Sequence, residues 1–169
     1  MDPFATLGIG RSYDLDLRAL EKSYRRLSRA FHPDRYASTT PGEKREALAR
    51  AVAVNEAWRI VRDPIQRAEA LLSLGGARVG EESDSMRDLE FLEEMLEQRE
   101  ALSRARRARD RGAVRGLADT VRARSTDAER EVAAGLATGR TEPVVGTLGK
   151  MKFYRRFLEE VSAIEDEIV

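Results

Sequence analysis

Apolar residues recur at helical spacing along most of the chain, and short stretches containing proline or glycine separate the runs. The first clear run is Leu17, Leu20, Tyr24, Leu27 and Phe31, spaced 3, 4, 3 and 4. It predicts a helix capped by Asp14 or Asp16 and stopped at His32-Pro33, because proline disfavours α geometry in the residue before it. An irregular stretch from Asp34 to Pro41 should follow. A second helix is expected over 41–62, with Ala47, Ala51, Val54, Trp58 and Val61 as its stripe and Leu48 and Val52 widening it. Asp63-Pro64 then breaks the chain, and Pro64 suits the start of a third helix that carries Ile65, Ala68, Leu71 and Leu72. Gly75-Gly76 should end it.

Residues 75–85, GGARVGEESDS, hold three glycines and no large apolar cluster, which marks a linker. The expected organisation is an N-terminal domain over 1–75, a linker over 76–84 and a C-terminal domain over 85–169. Three long helical patterns lie beyond the linker, at about 85–111, 112–138 and 143–168. Val114, Leu117, Val121, Ala128, Val132 and Leu136 are in phase in the second of them. Leu148, Met151, Tyr154, Leu158, Val161 and Ile168 are in phase in the third. Short breaks at Gly112 and Gly139 favour antiparallel neighbours, hence a three-helix bundle. The fold class expected is all-α: a helix hairpin with a loop at its turn, then the bundle. Composition agrees, since Ala, Leu, Arg and Glu dominate and β-branched and aromatic runs are scarce.

Charge changes the picture locally. Thirty basic and thirty acidic residues cancel over the chain, so no global field argues for nucleic acid or an anionic membrane. Residues 1–75 carry 13 Lys/Arg and 10 Asp/Glu, whereas residues 76–169 carry 17 and 20. There is no cysteine and a single histidine, His32, which removes disulfides, thiolate nucleophiles and multi-histidine metal sites. No resident metal or cofactor is expected. The N-terminus MDPFATLGIG does not read as a signal peptide, and no run approaches the ~20 apolar residues of a membrane helix. The expected location is the cytoplasm.

On the wheel of the 17–31 helix the apolar set clusters within about 80°. Arg18, Lys22, Arg25, Arg26 and Arg29 gather on the opposite side, with Glu21 the one acid among them. Most charged helix faces are simply solvated. Five like charges repel one another, however, and a negative partner surface would account for their concentration. The tripeptide His32-Pro33-Asp34 follows at once, in the loop between two amphipathic helices. The local reading is that His32 and Asp34 only cap that loop.

A short N-terminal segment, a basic helix, an HPD loop and a following helix together resemble a J domain. The segments FATLGIGRSYDLD, FHPDRYAS and AVAVNEAWRIVRDPIQRAEALLSLGG, continued by RDLEFLEEMLEQREAL and KMKF, resemble the HscB family over essentially the whole chain. These are the J-domain co-chaperones of bacterial iron–sulfur cluster assembly. The resemblance implies that His32, Pro33, Asp34, Lys22, Arg25, Arg26 and Arg29 dock on the DnaK-type ATPase HscA. It also implies that the C-terminal bundle holds the scaffold IscU through Leu92, Leu96 and Phe153, rimmed by Glu93, Glu97 and Glu100. The wheel of the first bundle helix is compatible: Phe91, Met95 and Leu102 lie within about 40° of one another, and Leu92 and Leu96 point roughly 80–120° away. Leu92 and Leu96 closing a wide core seam is the alternative. The family often has an apolar residue where this chain has Glu93, so the patch should be smaller or more polar here. Lacking cysteine, the chain also lacks the zinc-binding extension of eukaryotic relatives, which points to a bacterial-type protein.

Three other readings compete. An enzyme would need a site, and His32 has neither a cysteine nor a second histidine to work with. Gly146-Thr147-Leu148-Gly149-Lys150-Met151 lacks phosphate-loop spacing, with Met151 in place of the hydroxyl residue. A nucleic-acid surface would rest on 104–124, with eight Arg and two Asp, but 81–100 holds nine acids and two Arg that neutralise such a face across a hairpin. The third is a general J-protein whose bundle recruits another client. No nucleic-acid or membrane partner is expected.

Overall fold

The computed structural model describes residues 1–77 and 88–168. The chain divides into two compact units, Met1–Arg78 and Val79–Val169, and every regular element among the described residues is helical. Of the expected linker, only Gly76 and Ala77 lie within the described residues.

The N-terminal unit contains α1 (Pro3–Leu7), α2 (Leu17–Ala30), a 3-10 turn (Pro33–Tyr36), α3 (Pro41–Arg62) and α4 (Pro64–Leu74). Sequence periodicity misses α1 because five residues make barely one turn. Its ends are nevertheless well capped. Asp2 accepts from the N–H groups of Phe4 and Ala5, and Gly8 closes the helix in the left-handed region at φ 66°. Phe4 and Leu7 then join Leu20, Val54, Ala57 and Val61 in the core. Asp16, not Asp14, caps α2. Thr40 and Glu43 form a capping box at the start of α3, with Pro41 in its first turn. Asp63 ends α3 and caps α4 through the Gln66 N–H.

The buried faces of α2 and α3 are narrower than the periodicity suggests. Leu17 is exposed at the start of α2, and Leu48 and Val52 do not widen the α3 stripe but stand in solvent. They lie more than about 100° around the helix from Ala47, Val54, Ala57 and Val61. Tyr24 stacks on Trp58 with centroids 4.6 Å apart, and its hydroxyl donates to Asn55 Oδ1 at 3.1 Å, so α2 and α3 are pinned side by side. Ser23 Oγ donates to the Leu7 carbonyl at 2.6 Å and fastens α1 to α2. Buried Arg67 donates to the Val61 carbonyl at 3.0 Å and lies 4.8 Å over the Tyr13 ring, tying α4 to the loop before α2.

The C-terminal unit contains α5 (Leu89–Ala108), α6 (Arg111–Ala137) and α7 (Thr141–Glu167). The first break falls at Arg109-Asp110 rather than at Gly112. Arg109 takes the left-handed conformation at φ 51°, its N–H bonding back to the Ala105 and Arg106 carbonyls, and Asp110 caps α6. Gly112 is absorbed into the first turn of α6, because a good N-cap outweighs a glycine two residues later. At the second break Gly139 does take positive φ, at 69°. Arg115–Glu165 and Thr147–Glu131 cross between α6 and α7, which makes them antiparallel. Lys150–Asp88 and Arg106–Glu167 set α5 parallel to α7. The bundle core runs along α7 through Val144, Leu148, Met151, Tyr154, Phe157, Val161 and Ile164. Phe157 takes the deep position that periodicity assigns to Leu158, which is only half-buried. At the α6–α7 turn Gly135 is buried, and a Cβ there would fall inside contact distance of Val144 Cγ2. The missing side chain lets the two helices close.

Candidate functional site

The first candidate site begins where α2 ends. Pro33 sets the first position of the 3-10 turn, and His32 caps it, Nδ1 accepting the Asp34 N–H at 3.3 Å. An Nδ1 that accepts carries no proton, so this bond belongs to the Nε2–H tautomer. The same Nδ1 lies 3.4 Å from Asp34 Oδ2, a contact that becomes an ion pair only when the imidazole is protonated. The expected irregular stretch is thus partly ordered. Tyr36 reinforces it by donating to the Ala30 carbonyl at 3.3 Å, and Thr39 by donating to the Tyr36 carbonyl at 2.9 Å. His32, Pro33 and Asp34 are all exposed. The turn therefore holds the tripeptide in shape without drawing it into the core.

The basic residues of α2 continue this surface. Arg18, Lys22, Arg25, Arg26 and Arg29 are exposed on one face and line a shallow open depression of about 920 Å³. Glu21 neutralises part of it by pairing with Arg25 at 2.6 Å. Lys22 and Arg29 form no ion pair with a described residue, and Arg26 reaches only Ser23 Oγ at 3.4 Å. Arg35 lines the same depression and joins the strip to the HPD turn. Sequence reasoning passed over Arg35; its signal was adjacency to Asp34 in a turn too short to point elsewhere.

The second candidate site is on the bundle. Phe91, Met95 and Leu102 of α5 are buried, as their wheel positions require. Leu96 is exposed and closes no core seam, while Leu92 is half-buried. Glu93, Glu97 and Glu100 are exposed beside them. Phe153 of α7 is half-buried: its ring meets Phe91 edge-on at 5.7 Å, and the Arg99 guanidinium lies 5.1 Å over it. Phe153 is thus partly a packing residue. Asp88 caps α5 and pairs with Lys150 at 2.7 Å. The Lys150 ammonium, helped by the Phe91 N–H, holds the Asp88 carboxyl below the usual carboxylate range. Among the described residues no cluster of three or more acidic or histidine side chains could hold a metal ion, and no helix is long and apolar enough to cross a membrane.

Comparisons with known proteins agree with this division. The DnaJ domain family matches residues 2–70, and the HSCB C-terminal oligomerisation domain family matches residues 87–162. The co-chaperone protein HscB homolog of Aeromonas hydrophila is 32% identical over 169 residues, covering 99% of this chain and 98% of that protein. This chain belongs to the HscB family. The chaperone HscB from Vibrio cholerae has the same fold at a TM-score of 0.90, with 28% identity and full coverage of both chains. Human co-chaperone protein HscB matches at 0.89 and 26% identity, over 96% of this chain and 81% of that one. As an HscB-family protein the chain is a J-domain co-chaperone, and its J domain implies an Hsp70-type partner.

Proposed function

We propose that this co-chaperone stimulates the ATPase of an HscA-type chaperone through His32, Pro33 and Asp34 with Lys22, Arg25, Arg26, Arg29 and Arg35. In this reading it also delivers an IscU-type iron–sulfur scaffold, bound on the C-terminal bundle, to that chaperone. Residues 1–75 are the J domain, 76–84 the linker and 85–169 the scaffold-binding bundle. The protein acts in the cytoplasm and catalyses nothing itself: it shifts the conformational equilibrium of its partner. The observation that carries the reading is the continuity of an exposed, locally ordered HPD turn with a basic helix face left largely without counter-charges.

Docking on the ATPase is electrostatic in this reading. Lys22→Glu, in the middle of the strip, should slow association about tenfold at low salt and by less at physiological ionic strength. Stopped-flow association rates across a salt series check this, and a rate indifferent to both salt and Lys22→Glu would reduce the strip to a solvated face.

Scaffold binding is set by Leu92, Leu96 and Phe153 with Glu93, Glu97 and Glu100. Leu96→Ala should weaken it about tenfold with an unchanged melting temperature, since Leu96 is exposed. Phe153→Ala should weaken it too, but should also cost about 1–2 kcal/mol, because its ring packs on Phe91. Calorimetric titration with a purified IscU-type scaffold, beside thermal melts, separates the two. Full-strength binding by Leu96→Ala would remove the patch from the account, and an ATPase stimulated without any scaffold affinity would favour a general J-protein with another client.

A further inference from the structure

Among the described residues, the C-terminal unit leaves two large apolar side chains exposed, Leu89 at 72% and Leu96 at 60%. They stand seven residues apart on α5, so they share a face two turns long. Half-buried Leu92 falls between them, at the i, i+3, i+7 spacing of a helix seam. The helix turns Phe91, Met95, Leu102 and Ala105 the other way, into the bundle core. Leu89 therefore extends the apolar stripe by one turn toward the helix N-terminus.

One flank of the stripe is acidic, and the other carries exposed Arg99. Glu90, Glu93 and Glu97 are exposed and pair with no described residue, and Glu100 is 3.8 Å from Arg104. A second copy packing antiparallel on this face about a two-fold axis would bring these glutamates against one another, which like charges oppose. The complement is an apolar ridge flanked by lysine or arginine.

We propose that Leu89 is a docking residue for the scaffold partner. In this arrangement Leu89, Leu92 and Leu96 form one seam on α5, and the scaffold meets it with an apolar ridge edged by basic side chains. The proposal rests on the scaffold reading above and deepens it. Glu93 stands about 40° around the helix from Leu89, at the edge of the seam.

Leu89→Ala and Glu93→Gln test it by calorimetric titration of the whole chain against a purified IscU-type scaffold. Leu89→Ala should weaken binding about five- to tenfold. Glu93→Gln should flatten the dependence of affinity on salt. Alanine at an exposed helix position favours folding, so circular dichroism should find both variants as helical as the parent. If the parent binds and Leu89→Ala binds equally well, the proposal is overturned and the scaffold reading stands. A parent that fails to bind overturns the scaffold reading and the proposal with it. Sedimentation that finds Leu89→Ala breaking a dimer, with scaffold affinity intact, would assign the seam to a second copy and also overturn the proposal.

Discussion

A chain carrying Asp34→Asn should fold as the parent does and lose nearly all stimulation of its chaperone ATPase, by more than about tenfold. The Asp34 side chain is 89% exposed, and its carboxylate meets only His32 Nδ1, at 3.4 Å, among the described residues, so little folding energy depends on its charge. The His32 cap uses the Asp34 backbone N–H, which asparagine keeps. What the substitution removes is a carboxylate held in a defined position, the group that would pair with a partner arginine. Steady-state ATP hydrolysis by the HscA-type chaperone, measured beside a thermal melt, reads both parts of the expectation. Undiminished stimulation by well-folded Asp34→Asn protein would show that the HPD turn is only a connector.

Phe157→Ala should act on the opposite half of the chain, by destabilising the bundle by about 3–5 kcal/mol. Phe157 is fully buried, and alanine would leave a cavity among neighbours that can only partly collapse into it. Since small domains are stable by only about 5–15 kcal/mol in total, the bundle would melt far below the parent. The core of the N-terminal unit consists of Phe4, Leu7, Leu20, Val54, Ala57 and Val61, all from its own helices. Stimulation of the ATPase should therefore outlast scaffold binding as temperature rises. Urea titration followed by tryptophan fluorescence and by far-ultraviolet circular dichroism separates the units, because the one tryptophan, Trp58, reports the N-terminal unit. A circular dichroism transition unmoved by Phe157→Ala would mean that this ring is not central to the bundle.

Three helices of the N-terminal half, α2 to α4, were legible because proline marks one boundary of each. Pro41 and Pro64 open α3 and α4, and Pro33 closes α2. Where a boundary depends on backbone conformation without such a marker, the sequence misleads. Arg109 takes the left-handed region that glycine would prefer, so the break hides among arginines while Gly112 draws attention from within α6. Phase is ambiguous for a similar reason. Phe157 and Leu158 both continue the α7 stripe, at three or four residues from Tyr154, and only the facing helices decide which of them goes deep. The candidate site divides along the same line. The HPD turn and the strip on α2 are contiguous in sequence and could be read there. The exposure of Leu89 and the half-burial of Phe153 depend on what surrounds each side chain in the folded unit, and no spacing along the chain encodes that.

The turn between α6 and α7 carries a consequence for how this sequence can vary. Gly135 and Val144 occupy one volume between them: a methyl group added at 135 needs the room that Val144 Cγ2 already fills. The two positions are therefore coupled, with a larger residue at 135 fitting best after a smaller one at 144. Anyone grafting either helix into another bundle inherits that pairing, and a chimera joined between them is sound when the residues brought together at 135 and 144 fit one volume.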